Sequence, residues 1–139
     1  MVKGLDRLKA QNAERLAKMK AVAFAQTKQV ADEHLHLMRP LIPVDEAELI
    51  KSAKVKPIGN EGARAMENGT VVLGHAVEYG DETTIVTNGR GARFQNARIQ
   101  EFGTATRQAN PAMYPTYRAN KRRFKARIAK ALRLAAKHA

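Results

Sequence analysis

Residues 101–121 read Glu-Phe-Gly-Thr-Ala-Thr-Arg-Gln-Ala-Asn-Pro-Ala-Met-Tyr-Pro-Thr-Tyr-Arg-Ala-Asn-Lys, and the placing of glycine and proline in this stretch decides how the chain ends. Upstream, Phe94, Ala97, Arg98 and Glu101 recur at helical spacing, which predicts a short helix over 92–103 closed by the left-handed residue Gly103. A loop over 104–116 follows, holding the spaced pair Pro111 and Pro115 that leads into a helix start. From Tyr117 onward, Phe124, Ile128, Leu132 and Ala135 follow at spacings of three and four. They form one apolar stripe on a basic helix over 117–138 that is expected to pack on a sheet. Phe102, Met113, Tyr114 and Tyr117 read as core residues that fold the loop onto the same sheet.

Working outward, Leu5, Leu8, Leu16, Met19, Ala23, Val30 and Leu37 recur near a 3.6-residue period, predicting a long amphipathic helix over 1–38 that Arg39, Pro40 and Pro43 stop. Its Ala- and Lys-rich part around 13–25 needs another surface to lie on. Residues 43–52 read as a short helix with Asp45 at its N-cap and Glu48 closing a capping box. Gly59-Asn60-Glu61-Gly62 and Glu67-Asn68-Gly69 mark loops, with one turn of chain between them. The Val-rich run 70–79 and the β-branched run 83–87 read as a hairpin around Gly80-Asp81, with Lys54–Ile58 as an edge strand. The fold class is therefore α+β. A long N-terminal helix and a basic C-terminal helix pack on a small antiparallel sheet, over 54–87, with a central β-hairpin, all in one domain spanning 1–139.

At 139 residues, with 44% hydrophobic but only 5% aromatic residues and no Trp, the chain supports one thin core, which favours stabilisation by neighbours. The absence of Cys excludes disulfides, thiolate metal sites and Cys nucleophiles. No apolar run approaches a membrane span, and the N-terminal stretch lacks the layout of a signal peptide, so the expectation is synthesis and use in cytoplasm. Net charge is +12, and its distribution is uneven. Glu101 is the last acid, and Arg107, Arg118, Lys121, Arg122, Arg123, Lys125, Arg127, Lys130, Arg133 and Lys137 follow it. A polyanion, either duplex DNA or an acidic protein surface, would relieve the repulsion among them.

Nothing in the sequence points to catalysis or to a cofactor. Ser52, the single serine, sits in an ordinary helix end, and His34 and His36 fall on different helix faces, which argues against joint metal ligation. All four histidines read as satisfied or solvated. The carboxylates of Asp32-Glu33, Asp45-Glu46-Glu48 and Asp81-Glu82 lie where solvated acids are routine, and Gly89-Arg90-Gly91 is too short for a dinucleotide fingerprint. Catalytic, cofactor and metal residues are accordingly expected to be absent.

The Glu101-Phe102-Gly103-Thr104 turn, its variable loop, and the Pro111-x-x-x-Pro115 segment opening a helix with Tyr117 and Asn120 resemble the signature of the head-tail joining family. These are the small neck, connector or tail-completion proteins of long-tailed phages, or their gene-transfer-particle equivalents. Pro43-Val44-Asp45 is similar to a second landmark of that family, which continues with Thr-Gly where this chain has Glu46-Ala47. The resemblance implies a non-enzymatic virion protein in the neck, assembled in the host bacterial cytoplasm. It forms a homo-oligomeric ring, a hexamer in preference to a dodecamer, between the portal-side connector and the tail tube or tail terminator, with non-specific contact to passing DNA and none with membrane. Within that frame Arg118, Arg122, Arg123, Lys125, Arg127, Lys130 and Arg133 are the candidate interface or DNA-facing residues. Glu101, Phe102, Gly103, Thr104, Pro111, Pro115 and Tyr117 form the structural motif, and Glu78–Glu82 with the cationic terminus is a candidate complementary pair between subunits. The other reading is a stand-alone basic nucleic-acid-binding module, ribosome- or nucleoid-associated. It lacks the aromatic strand motif, zinc spacing or helix-turn-helix that such modules carry.

Overall fold

The computed structural model describes residues 3–43, 46–59, 63–69 and 71–138. Helix α1, Lys3–Met38, runs for 36 residues, or about 54 Å at 1.5 Å per residue. Ala, Leu, Lys, Gln and Met supply it with strong helix formers, and it stops where Pro40 turns Arg39–Leu41 into a single 3-10 turn. Helix α2, Ala47–Ser52, follows with Glu46 at the cap position and no side-chain cap bond. The expected cap, Asp45, lies outside the described residues.

The strands differ from the expected arrangement. Strand β1, Lys54–Pro57, pairs antiparallel with β4, His75–Glu78, and β2, Ala63–Ala65, pairs antiparallel with β3, Val71–Leu73. The segment expected to be a loop with one turn thus contains β2. Pro57 faces His75 and Ala63 faces Leu73, so one strand advances six residues against two on the other. The two ladders are legs of one interrupted hairpin whose turn is at Glu67–Gly69, where Gly69 N–H donates to Met66 O (3.0 Å). The Val-rich run breaks at Gly74, whose φ of +137° favours glycine. Its Cα lies against α1, so that an added Cβ would stand 3.3 Å from Thr27 Cγ2.

Gly80-Asp81 is correspondingly not a hairpin turn. Asp81 Oδ1 accepts from Thr83 N–H (2.9 Å), and Asp81 N–H donates to Thr84 Oγ1 (2.9 Å), capping a 3-10 turn over Glu82–Thr84 that carries the chain away from β4. Strand β5, Ile85–Thr87, instead pairs with β6, Arg93–Gln95. Their turn is closed by Asn88 Oδ1, which accepts from the N–H groups of Arg90 and Ala92 (both 2.9 Å). Residues 93–95 are therefore strand, and helix α3 is shorter than expected, Asn96–Phe102. The class is α+β as expected, but with three two-stranded antiparallel ladders in place of one sheet.

Helix α4, Met113–His138, begins four residues before the expected Tyr117. Pro115 sits in its first turn, where the missing N–H costs nothing. Its stripe packs on α1, not on a sheet: Phe124 is buried and Ile128, Leu132 and Ala135 are half-buried, with the ring of Phe124 6.1 Å from that of His34. The hydrophobic core joins Leu35, Met38, Ile42, Leu49, Ala53, Ala97 and Ala112, drawn from two stretches far apart in the sequence, 35–53 and 97–112. Ser52 is fully buried in a structural role, its Oγ donating to Leu49 O (2.6 Å) and accepting from Gly80 N–H (3.0 Å).

Candidate functional site

The motif of residues 101–117 builds a clasp between α3 and α4. Glu101 is buried, and its carboxylate accepts three backbone N–H groups from the start of α4: Ala112 (2.9 Å) and Met113 (3.1 Å) on Oε2, and Tyr114 (2.7 Å) on Oε1. The first N–H groups of a helix have no partner inside it, and the positive end of the helix dipole favours an anion there. One side chain meets both needs. Gly103 lets the chain turn back, with φ of +72°, and any Cβ there would stand 2.7 Å from Arg107 O and 2.8 Å from Ala109 N. Thr104 Oγ1 accepts from Arg107 N–H (3.0 Å), and Asn110 N–H returns to Gln100 O (2.7 Å), which delivers Pro111 and Ala112 to the carboxylate. The aromatic residues behave otherwise than expected. Phe102 is 63% exposed, with its ring 5.6 Å from that of Tyr114, and Tyr114 and Tyr117 are also exposed. With the cross-strand pair Val86 and Phe94, likewise exposed, Phe102 and Tyr114 add four large apolar side chains to the surface.

The seven candidate cations divide into two groups. Arg123 Nη1 lies 2.5 Å from Glu33 Oε1, and Arg127 Nη1 bonds Glu33 Oε2, so these two hold α4 against α1. Arg123 also donates to Asn120 Oδ1 (2.8 Å) and lies over the Phe124 ring. Glu33 has the ordinary look of a solvated acid in the sequence, and no local spacing discloses a partner 94 residues away. Arg118, Arg122, Lys125, Lys130 and Arg133 are exposed, as is Lys121. On the acidic side of the suggested complementary pair, Glu78 bonds Lys56 within its own hairpin (3.1 Å), and hydrogen bonds from Thr83 hold the Asp81 carboxyl below its usual range.

Between α1, α4 and β4 lies a groove of about 460 Å³, lined by Val30, His34, Val77, Met113, Tyr117 and Phe124 among others. His34 is 6% exposed and its Nε2 has no protein partner, which corrects the reading of every histidine as satisfied or solvated. Burial pulls its pKa below 6.5, against an opposing pull from Glu101. His75 is bonded to Thr27 Oγ1 (2.9 Å) with its ring tilted against that of Phe24 at 4.5 Å, and burial and the nearby Lys28 lower its pKa as well, opposed by Asp32. Burial, with the carboxylates of Glu101 and Glu46, pushes the Tyr79 hydroxyl up to about 12. No group of three or more metal-ligating side chains occurs among the described residues.

The other end of α1 stands clear of the core. Every described side chain from residue 4 to 18 is exposed, including Leu5 (47%), Leu8 (52%) and Leu16 (54%). At 1.5 Å per residue this end projects about 22 Å. Leu5, Leu8, Leu16, Met19, Ala23, Val30 and His34 fall within about 90° of the helix circumference. The stripe that α4 covers at Val30 and His34 thus continues uncovered toward the N-terminus. Among the described residues no helix is long and apolar enough to cross a membrane. In comparison with known proteins, no family model, no curated protein and no solved structure matches this chain.

Proposed function

We propose that this chain is a non-enzymatic subunit of a homo-oligomeric ring in the neck of a long-tailed phage or a gene transfer particle, between the portal-side connector and the tail. The supporting observation is the bare end of α1, an apolar stripe with three leucines about half exposed on a helix end whose described side chains from residue 4 to 18 are all exposed. Such a helix is marginal alone and needs a covering surface. A ring supplies one at every subunit through heterologous contacts, each molecule offering a face its neighbour lacks. The Glu101 clasp fits the same purpose, since it fixes where α4 and the exposed Phe102 and Tyr114 are presented.

Sedimentation of the purified protein tests the reading. The expected result is one closed oligomer, a hexamer, that the triple variant L5S/L8S/L16S converts to a monomer with the unfolding transition of the core unchanged. A wild-type protein that stays monomeric at all concentrations overturns it. The exposed cations of α4 favour a second reading, a stand-alone nucleic-acid-binding module, for which a monomer binding duplex tightly is the expected result.

A further inference from the structure

Once Arg123 and Arg127 are taken up by Glu33, the remaining cations of α4 are ordered. Of the seven that remain, Arg118, Lys121, Arg122, Lys125 and Arg133 fall within about 120° of the helix circumference and span about 22 Å of its axis, whereas Lys130 and Lys137 lie outside that arc. All five are exposed, with no ion pair among the described residues. Exposed Ala126, Ala129 and Ala136 lie between and beside them, and no acid shares this arc; its inner edge, at Lys121, Lys125 and half-buried Leu132, borders the groove that Tyr117 and Phe124 also line. Protein interfaces place aromatic or large apolar anchors at their centre and are depleted in Lys, and single-stranded nucleic acid is held by stacking on rings. The outer part of the arc, where Arg118, Arg122 and Arg133 are spaced by Ala129 and Ala136, offers neither. It suits a rigid, uniform polyanion met by charge alone.

We propose that this arc of α4 seats the phosphate backbone of duplex DNA without reading sequence, while the opposite flank, through Arg123 and Arg127, holds the helix to α1. The inference gives one face of α4 a partner and stands on the helix geometry, so its failure and that of the ring reading are seen in different measurements: salt dependence here, particle mass there.

The test is equilibrium binding of the full-length protein to two 40-base-pair duplexes of unrelated sequence over a series of salt concentrations. Both duplexes bind equally. For R118Q/R122Q/K125Q the slope of log K against log salt falls by about 2.7 per engaged subunit, at roughly 0.9 for each phosphate that is no longer neutralised. R7Q/K9Q/R15Q, which removes as many cations from the exposed end of α1, keeps the wild-type slope. Circular dichroism verifies both folds. Equal losses in the two variants overturn the proposal, because net charge alone then accounts for binding. So do absence of duplex binding at low salt, preference for one duplex, and tighter binding of polyglutamate that the α4 variant abolishes.

Discussion

At the scale of single residues, Glu101 has the largest consequence. Its two oxygens replace the solvent that the first N–H groups of α4 would otherwise need, in a place where Ala112 is fully buried. E101Q keeps the volume but sets an amide N–H₂ against backbone donors. We expect a loss of about 2 kcal/mol in urea unfolding, within the range for leaving buried donors unpaired. His34 contributes with a defined sign. Its folded-state pKa lies below the unfolded 6.5, so the unfolded chain binds more protons between those values. The stability this reflects is complete above pH 6.5 and is lost as pH falls through 6.5 toward the folded-state pKa. H34L removes the unpartnered Nε2, and its melting temperature is expected to fall less between pH 7.5 and 5.5 than that of wild type. A residual slope is expected from His75, which is shifted the same way.

Among the elements, the α1–α4 pair organises the subunit, and a single acid on α1 fixes their rotation. E33Q leaves Arg123 and Arg127 unpaired and is expected to cost about 1 kcal/mol at low salt and less at high salt, since the pair is partly solvated. A double-mutant cycle between E33Q and R127Q in two salt concentrations measures it. The helices were legible in the sequence because their periods and stops are local: Pro40 ends α1, Gly103 ends α3, and Phe124, Ile128 and Leu132 mark the inner face of α4. What the sequence left open was pairing over distance. The Val-rich run at 70–79 is visible, but its partners depend on Gly74 breaking the run and on Asp81 capping a 3-10 turn, and both override the hairpin that Gly80-Asp81 suggests. Residues 93–95 have helical spacing with Ala97 yet pair with β5, because Asn88 closes a tight turn just before them. In the candidate site, Gly103 was legible as the end of α3, whereas Pro115, expected in the loop before α4, lies inside its first turn. The role of Glu101 as an anion at a helix start was not legible, since it depends on α3 and α4 meeting end to end.

For the whole molecule, the governing feature is an imbalance between a small core at one end and an exposed apolar helix at the other. The core gathers residues from near Leu35 to Ala53 and from Ala97 to Ala112, whereas Leu5, Leu8 and Leu16 are about half exposed. On the ring reading proposed above, neighbours complete such a protein, and its first helix reports whether they are present. The most direct measurement is amide hydrogen exchange of residues 4–18 as a function of protein concentration. The account predicts slow exchange in the assembled protein, comparable with residues 28–38, and rapid exchange on dilution to the monomer while 28–38 stays protected. Exchange that is fast at every concentration, in a particle shown to be assembled, would contradict it.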